Sequence, residues 1–167
     1  MNACESILGL NPYQGGKPIE ELERELGITN ITKLASNENP LGVSSKVIEA
    51  IKSSLSGINR YPDGNAFELK KSISNHLMVN SKMISLGNGS NELLELIARV
   101  FVCEKTDEVI FSQYAFVVYP LVTQALGATA KISPAKNYGH DLNAMLGLIN
   151  ENTKLIFVAN PNNPTGT

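Results

Sequence analysis

Two cysteines, Cys4 and Cys103, are too few for a disulfide framework, and Cys103, inside the apolar run Val100 to Cys103, reads as a small core hydrophobe. Neither sign of charge dominates: 14 Lys and Arg against 16 Asp and Glu leave a net charge of -2, without a basic run. The long-range attraction that nucleic-acid phosphates require is therefore missing, and no nucleic-acid partner is expected. No apolar run is long enough to span a bilayer, and the start, Met1 to Ser6, lacks a basic region ahead of an apolar stretch. No membrane partner and a cytoplasmic location follow as expectations. His76 and His140 each stand without an Asp, Cys or Ser at useful spacing, and neither joins a cysteine in a ligand set, so no metal is expected. No repeat or low-complexity tract interrupts the chain. The 167 residues, 43% hydrophobic and 18% charged, suit one ordinary globular unit with a sizeable core.

The apolar pattern alternates between two periods. Pro18 to Leu26, with Ile19, Leu22 and Leu26 on one face and Gly27 behind it, predicts a short helix. A strand-like Ile31 to Ala35 follows, then a helical face of Val47, Ile48, Ile51 and Leu55, the turn Tyr61-Pro62-Asp63-Gly64, and a third helix carrying Phe67, Leu69, Ile73 and Leu77. From there short apolar runs (Met83 to Leu86, Glu108 to Phe111, Ala130 to Ser133, Lys154 to Ala159) alternate with helices over Asn91 to Phe101, Phe116 to Leu126 and Asp141 to Ile149, the last capped by Asp141. Such alternation implies an α/β fold: a mostly parallel sheet with helices on both faces and ligands at the carboxyl ends of the strands.

Three loops at that edge carry chemistry. In Gly87-Asn88-Gly89-Ser90-Asn91-Glu92 the glycines let backbone approach a ligand, and the first-turn amides of Ser90 and Asn91 favour an anion. Glu92 stands where a dinucleotide fingerprint has its third glycine, and no Gly-Lys-Ser/Thr follows, so a small terminal phosphate suits the loop better than a pyrophosphate. A plain tight turn with Ser90 as N-cap is the competing reading. Asn160-Pro161-Asn162-Asn163-Pro164-Thr165-Gly166-Thr167 offers amides on a chain stiffened by proline, though such runs are commonly turns. Tyr114 or Phe116 in Ser112 to Tyr119 suits the flat face of a heteroaromatic ligand, or simply the core. Jointly the loops describe a phosphorylated, planar, hydrogen-bonding ligand, features that pyridoxal phosphate has.

Leu34-Ala35-Ser36-Asn37-Glu38-Asn39-Pro40-Leu41-Gly42, Tyr61-Pro62-Asp63-Gly64, Gly87 to Glu92, Tyr114 to Tyr119 and Pro161 to Gly166 come in the order and spacing of the histidinol-phosphate aminotransferases, which the chain resembles from about Asn11 to its last residue. The resemblance implies the fold type I of aspartate aminotransferase, with residues 1–44 as N-terminal arm and small-domain segment and 45–167 as the first half of the cofactor-binding large domain. It implies pyridoxal 5'-phosphate held by Ser90 and Asn91 at its phosphate, by Phe116 at its ring and by Asn163 at its phenolic oxygen. Tyr61 would reach the partner's cofactor phosphate across a homodimer, and Tyr13 and Asn37 would approach substrate. The family often has Tyr where Phe116 stands; stacking survives that exchange. The partners implied are a small-molecule amino donor and a 2-oxo acid.

In the family, the lysine that forms the resting Schiff base, the aspartate facing the pyridine nitrogen and the arginine gripping the substrate carboxylate lie downstream of the Pro-Asn-Asn-Pro-Thr-Gly loop. No lysine of this chain is therefore assigned as catalytic; Lys136 in Ser133-Pro134-Ala135-Lys136 reads as a solvated residue near a turn. The expectation is that these residues are about the first half of an aminotransferase, truncated before its sheet is complete, with open apolar faces and strand edges and without activity alone. Aromatic-amino-acid aminotransferases and threonine-phosphate decarboxylases share the loops. A nicotinamide-binding half-domain is disfavoured by Glu92, and a non-catalytic remnant or interaction module is the alternative from another class.

Overall fold

The structure, a computed structural model, describes residues 3–167 and divides into two compact units, one formed by the chain up to Tyr13 together with Ser85–Thr167, the other by Gln14–Ile84. The helices are α1 (Glu5–Leu8), α2 (Ile19–Leu26), α3 (Ser45–Ser54), α4 (Phe67–Leu77), α5 (Ser90–Phe101), α6 (Val118–Ala125) and α7 (Leu142–Gly147). The strands are β1 (Glu108–Ser112), β2 (Thr129–Ser133), β3 (Ala135–Lys136), β4 (Gly139–His140) and β5 (Thr153–Ile156).

The unit containing Ser85–Thr167 is built on a parallel three-stranded sheet in the order β2-β1-β5. Glu108 to Ser112 of β1 are all buried, as the central position demands, and β2 and β5 are the edges. Side chains alternate across the sheet. Val109 and Phe111 share one face with Val102, Tyr119 and Phe157, with Leu94 of α5 and Phe116 and Leu126 around α6 packed against them. Tyr119 stacks on Phe157 with ring centroids 4.3 Å apart. Ile110, fully buried, faces the other way, toward the side on which α7 meets β1. Helices thus lie on both faces, as the alternation implied. The α7 face stays open: Leu142, Leu146, Ile156 and Val158 are exposed and line, with Met145, an apolar depression.

Local chemistry sets the ends of these elements. Asp141 caps α7 as expected, its Oδ1 accepting from Ala144 N–H at 3.0 Å. Asp107 accepts from the N–H groups of Glu104 (2.9 Å) and Cys103 (2.8 Å), closing the turn between α5 and β1. Those two donors, first Glu104 and then Cys103, hold the Asp107 carboxyl below its ordinary range, with Lys154 adding a smaller effect. Because Cys103 belongs to this turn, it is exposed and not the core residue its apolar neighbours suggested.

Two expected strands do not form. Ile31 to Ala35 is irregular, and Met83 to Leu86 divides into a 3-10 turn over Ser81–Met83 and an extended stretch from Ile84 (φ -111, ψ 118) that joins no ladder among the described residues. A strand is defined by its neighbour as well as by its own pattern, and here no neighbour pairs with either run. In the unit Gln14–Ile84, α2 ends at Gly27 in the left-handed conformation (φ 64), and Asp63 accepts from Phe67 N–H and Asn65 N–H, both at 2.9 Å, launching α4 from the Tyr61–Gly64 turn.

Candidate functional site

The loop between Leu86 and α5 is shaped by two glycines for different reasons. Gly89 adopts φ 83, ψ 172, a region essentially closed to residues with a Cβ, and serves as the N-cap of α5. At Gly87 an added Cβ would come within 2.9 Å of the Glu92 carboxylate and 3.0 Å of Leu93 Cγ. Ser90 is the first helical residue rather than the N-cap, and no side chain caps the helix. The Glu92 carboxylate turns back to accept from the N–H of Asn88 at 2.5 Å, away from the first-turn amides. The first-turn amides of α5 thus have no side-chain cap and can donate to an anion such as a terminal phosphate, although the Glu92 carboxylate offsets part of the helix dipole.

The other two loops leave the carboxyl ends of β1 and β5. After Ser112, Gln113 N–H donates to the Ser133 carbonyl (2.9 Å) and Ala115 N–H to the Ser112 carbonyl (3.0 Å), so the turn that carries Phe116 is pinned to the sheet. Phe116 precedes α6, is half-buried, and meets Tyr119 edge-on with centroids 6.0 Å apart. One side of its ring therefore serves the core while part stays accessible. Tyr114, the other aromatic candidate, packs instead against Tyr138 at 5.4 Å. The Asn160–Thr167 loop is tied to this turn by a hydrogen bond from Asn162 Nδ2 to the Tyr114 carbonyl at 3.0 Å, which brings Asn163, itself half-exposed, into the same neighbourhood.

Tyr13 and Asn91 line one cavity of about 370 Å³ with Val118, the first residue of α6. That cavity runs along α6, with Leu121, Val122 and Ala125 in its wall and Glu95 of α5 opposite, and Tyr13 is exposed at its border; Ser90, Phe116 and Asn163 do not line it. Tyr61 and Asn37 belong to the other unit. Tyr61 is fully exposed beside Asp63, whose carboxyl is held below its ordinary range by the N–H groups of Phe67 and then Asn65. Asn37 is exposed in a turn at φ 52. The roles of Asn162 and His140 were not legible beforehand, because both act through contacts between segments distant in the chain, whereas Glu92 acts locally on Asn88. His140 Nε2 lies 2.9 Å from the Ala159 carbonyl and so braces the approach to the Asn160–Thr167 loop. No group of three or more His, Cys, Asp or Glu is arranged for a metal among the described residues, and no helix there is long and apolar enough to cross a membrane.

The family model of aminotransferase class I and II matches residues 29–167. Histidinol-phosphate aminotransferase 1 of Mannheimia succiniciproducens is 61% identical over 164 residues, covering 98% of this chain and 44% of that protein. Histidinol-phosphate aminotransferase 2 of Haemophilus influenzae is 58% identical over the same shares. Among solved structures, histidinol-phosphate aminotransferase from Sinorhizobium meliloti in complex with pyridoxal-5'-phosphate superposes with a TM-score of 0.86 at 28% identity, over 98% of this chain and 43% of that one. An aspartate aminotransferase mutant of Thermus thermophilus shares the fold at a TM-score of 0.78 and 20% identity, over 100% of this chain and 47% of that one. The chain spans less than half the length of these relatives, and it belongs to the class I and II aminotransferases.

Proposed function

We propose that these residues form the cofactor-gripping part of a histidinol-phosphate aminotransferase, in which the whole protein moves an amino group between L-histidinol phosphate and 2-oxoglutarate, giving imidazole-acetol phosphate and L-glutamate. The observation that carries the reading is the N-terminus of α5, left without a side-chain cap where Gly89 bends the chain into it. The identities to histidinol-phosphate aminotransferases support the choice of substrate over the aromatic and threonine-phosphate alternatives.

Pyridoxal 5'-phosphate, when bound, supplies an electron sink. The chain's own residues bind and orient it: the amides of Ser90 and Asn91 donate to its phosphate, aided by the dipole of α5. Phe116, held against Tyr119, stacks on the ring and limits its tilt. Asn163 donates to the phenolic oxygen, favouring its ionised form. Tyr13 and Asn37 approach substrate, and Tyr61 serves the cofactor phosphate of the second protomer in a cytoplasmic homodimer. Residues 1–44 act as arm and small-domain segment, and 45–167 as the first half of the large domain.

The test is a fusion of this chain to the remaining C-terminal part of the Mannheimia succiniciproducens relative. The expected result is a new absorbance band on adding pyridoxal phosphate and glutamate-forming turnover with histidinol phosphate above that with phenylalanine or threonine phosphate. A correctly folded fusion that binds no cofactor overturns the reading; preference for phenylalanine overturns the substrate.

A further inference from the structure

Two adjacent asparagines in the Asn160–Thr167 loop have opposite surroundings. Asn163 is half-exposed, whereas Asn162 is buried at 3% exposure. Asn162 Nδ2 donates to the Tyr114 carbonyl at 3.0 Å and to Thr165 Oγ1 at 2.8 Å. Its backbone N–H donates to the Thr167 carbonyl at 2.8 Å, and its own carbonyl accepts from Gly166 N–H at 2.7 Å. A carbonyl can only accept, so the Tyr114 contact fixes which end of the carboxamide is nitrogen.

From Thr165 the hydrogen bonds continue to Thr167 Oγ1 at 3.0 Å and from there to the Tyr138 carbonyl at 3.3 Å. Since Thr167 donates to a carbonyl, Thr165 donates to Thr167 and accepts from Asn162, and all donors run in one direction. Of the loops joined in this way, the Tyr114 turn is the fixed one, pinned to Ser112 and Ser133, and the loop bearing Asn163 is the one held. The oxygen of the Asn162 carboxamide has no hydrogen-bond partner although it is buried. What Asn162 provides here is its pair of donors, one to the Tyr114 turn and one within its own loop.

We propose that Asn162 is a positioning residue: its two donated hydrogen bonds fasten the loop to the Tyr114 turn and thereby aim the Asn163 carboxamide at the cofactor's phenolic oxygen. This rests on the pyridoxal phosphate reading above, and the experiment separates the two. In the fusion protein, the dissociation constant for pyridoxal phosphate is measured by absorbance titration for Asn162→Ala, Asn163→Ala, the double variant, and Thr165→Val with and without Asn163→Ala. Asn162→Ala is expected to weaken binding about tenfold, the scale of one or two lost hydrogen bonds. In the Asn163→Ala background the same change is expected to alter binding less than about twofold, because the group it aims is gone. Thr165→Val, which leaves Asn162 in place, is expected to follow the same pattern with a smaller loss. Equal losses in both backgrounds, or unchanged binding in Asn162→Ala and Thr165→Val where Asn163→Ala binds weakly, overturn the positioning role alone. No binding by the unsubstituted fusion, or no effect of Asn163→Ala, overturns the cofactor reading and this proposal with it.

Discussion

Replacing Gly89 by Ala tests the anion cradle through the backbone alone. At φ 83, ψ 172 a Cβ is strained whatever surrounds it, and no atom outside the neighbouring residues lies within 4 Å of the place it would occupy. Steric crowding therefore contributes nothing, and the whole effect comes from the conformation itself, on the order of 1–3 kcal/mol. Relaxation of that strain turns residue 89 out of the N-cap geometry and moves the Ser90 and Asn91 amides off their common target. A ligand that needs them must restore the strained form on binding, so its dissociation constant rises by about 5- to 150-fold, the same energy expressed as affinity. Absorbance titration of the fusion protein with pyridoxal phosphate reads this directly. Gly57→Ala is the control: Gly57 lies in a 3-10 turn of the other unit, with open space around its Cβ position and no positive φ. A Gly89→Ala variant that binds within about twofold of its parent would show that the cradle does not depend on this backbone.

Phe157→Ala removes one half of the Tyr119–Phe157 stack from a buried position and is expected to destabilise by about 3–5 kcal/mol, seen as a lower urea midpoint. Phe116→Tyr is expected to retain cofactor binding while Phe116→Ala weakens it, a comparison made by the same titration; equal affinity in both variants would remove Phe116 from the site. Acid sensitivity is expected from Asp107, whose folded carboxyl lies below its ordinary value of 3.8. The unfolded chain then binds the proton more readily, so this contribution is complete above that value and is lost as pH falls toward the folded one. Urea midpoints followed downward from neutral pH should fall more steeply for the parent than for Asp107→Ala.

What could be read from the sequence was mostly what is local. The helix over Asn91 to Phe101, the Asp141 cap and the Gly27 stop are decided within a few turns of chain, and they emerged nearly where expected. The apolar run Glu108 to Phe111 reads as a strand from its own pattern, and the sheet adds what that pattern leaves open, that it is the central one. Ile31 to Ala35 and Met83 to Leu86 carry comparable patterns, yet a ladder needs a second chain segment, and no periodicity reports whether one arrives. The site divides along the same line. The resemblance alone singles out Phe116 beside Tyr114 and Asn163 beside Asn162, while the candidate residues Gly89 and Ser90 declare themselves by residue type before a helix. Asn162 does not, because its role comes from a carbonyl 48 positions earlier in the chain.

The register of β1 also bears on the order of assembly as the chain leaves the ribosome. Glu108 pairs with Thr129 on one side and with Thr153 on the other, so the nearer partner, together with α6, emerges first and the farther one only after α7. Short loops close before long ones. The β1-α6-β2 crossover is thus the natural nucleus, and nascent chains arrested once Ser133 has cleared the exit tunnel but Thr153 has not should already protect the amides of β1 that face β2, while those facing β5 remain open to exchange.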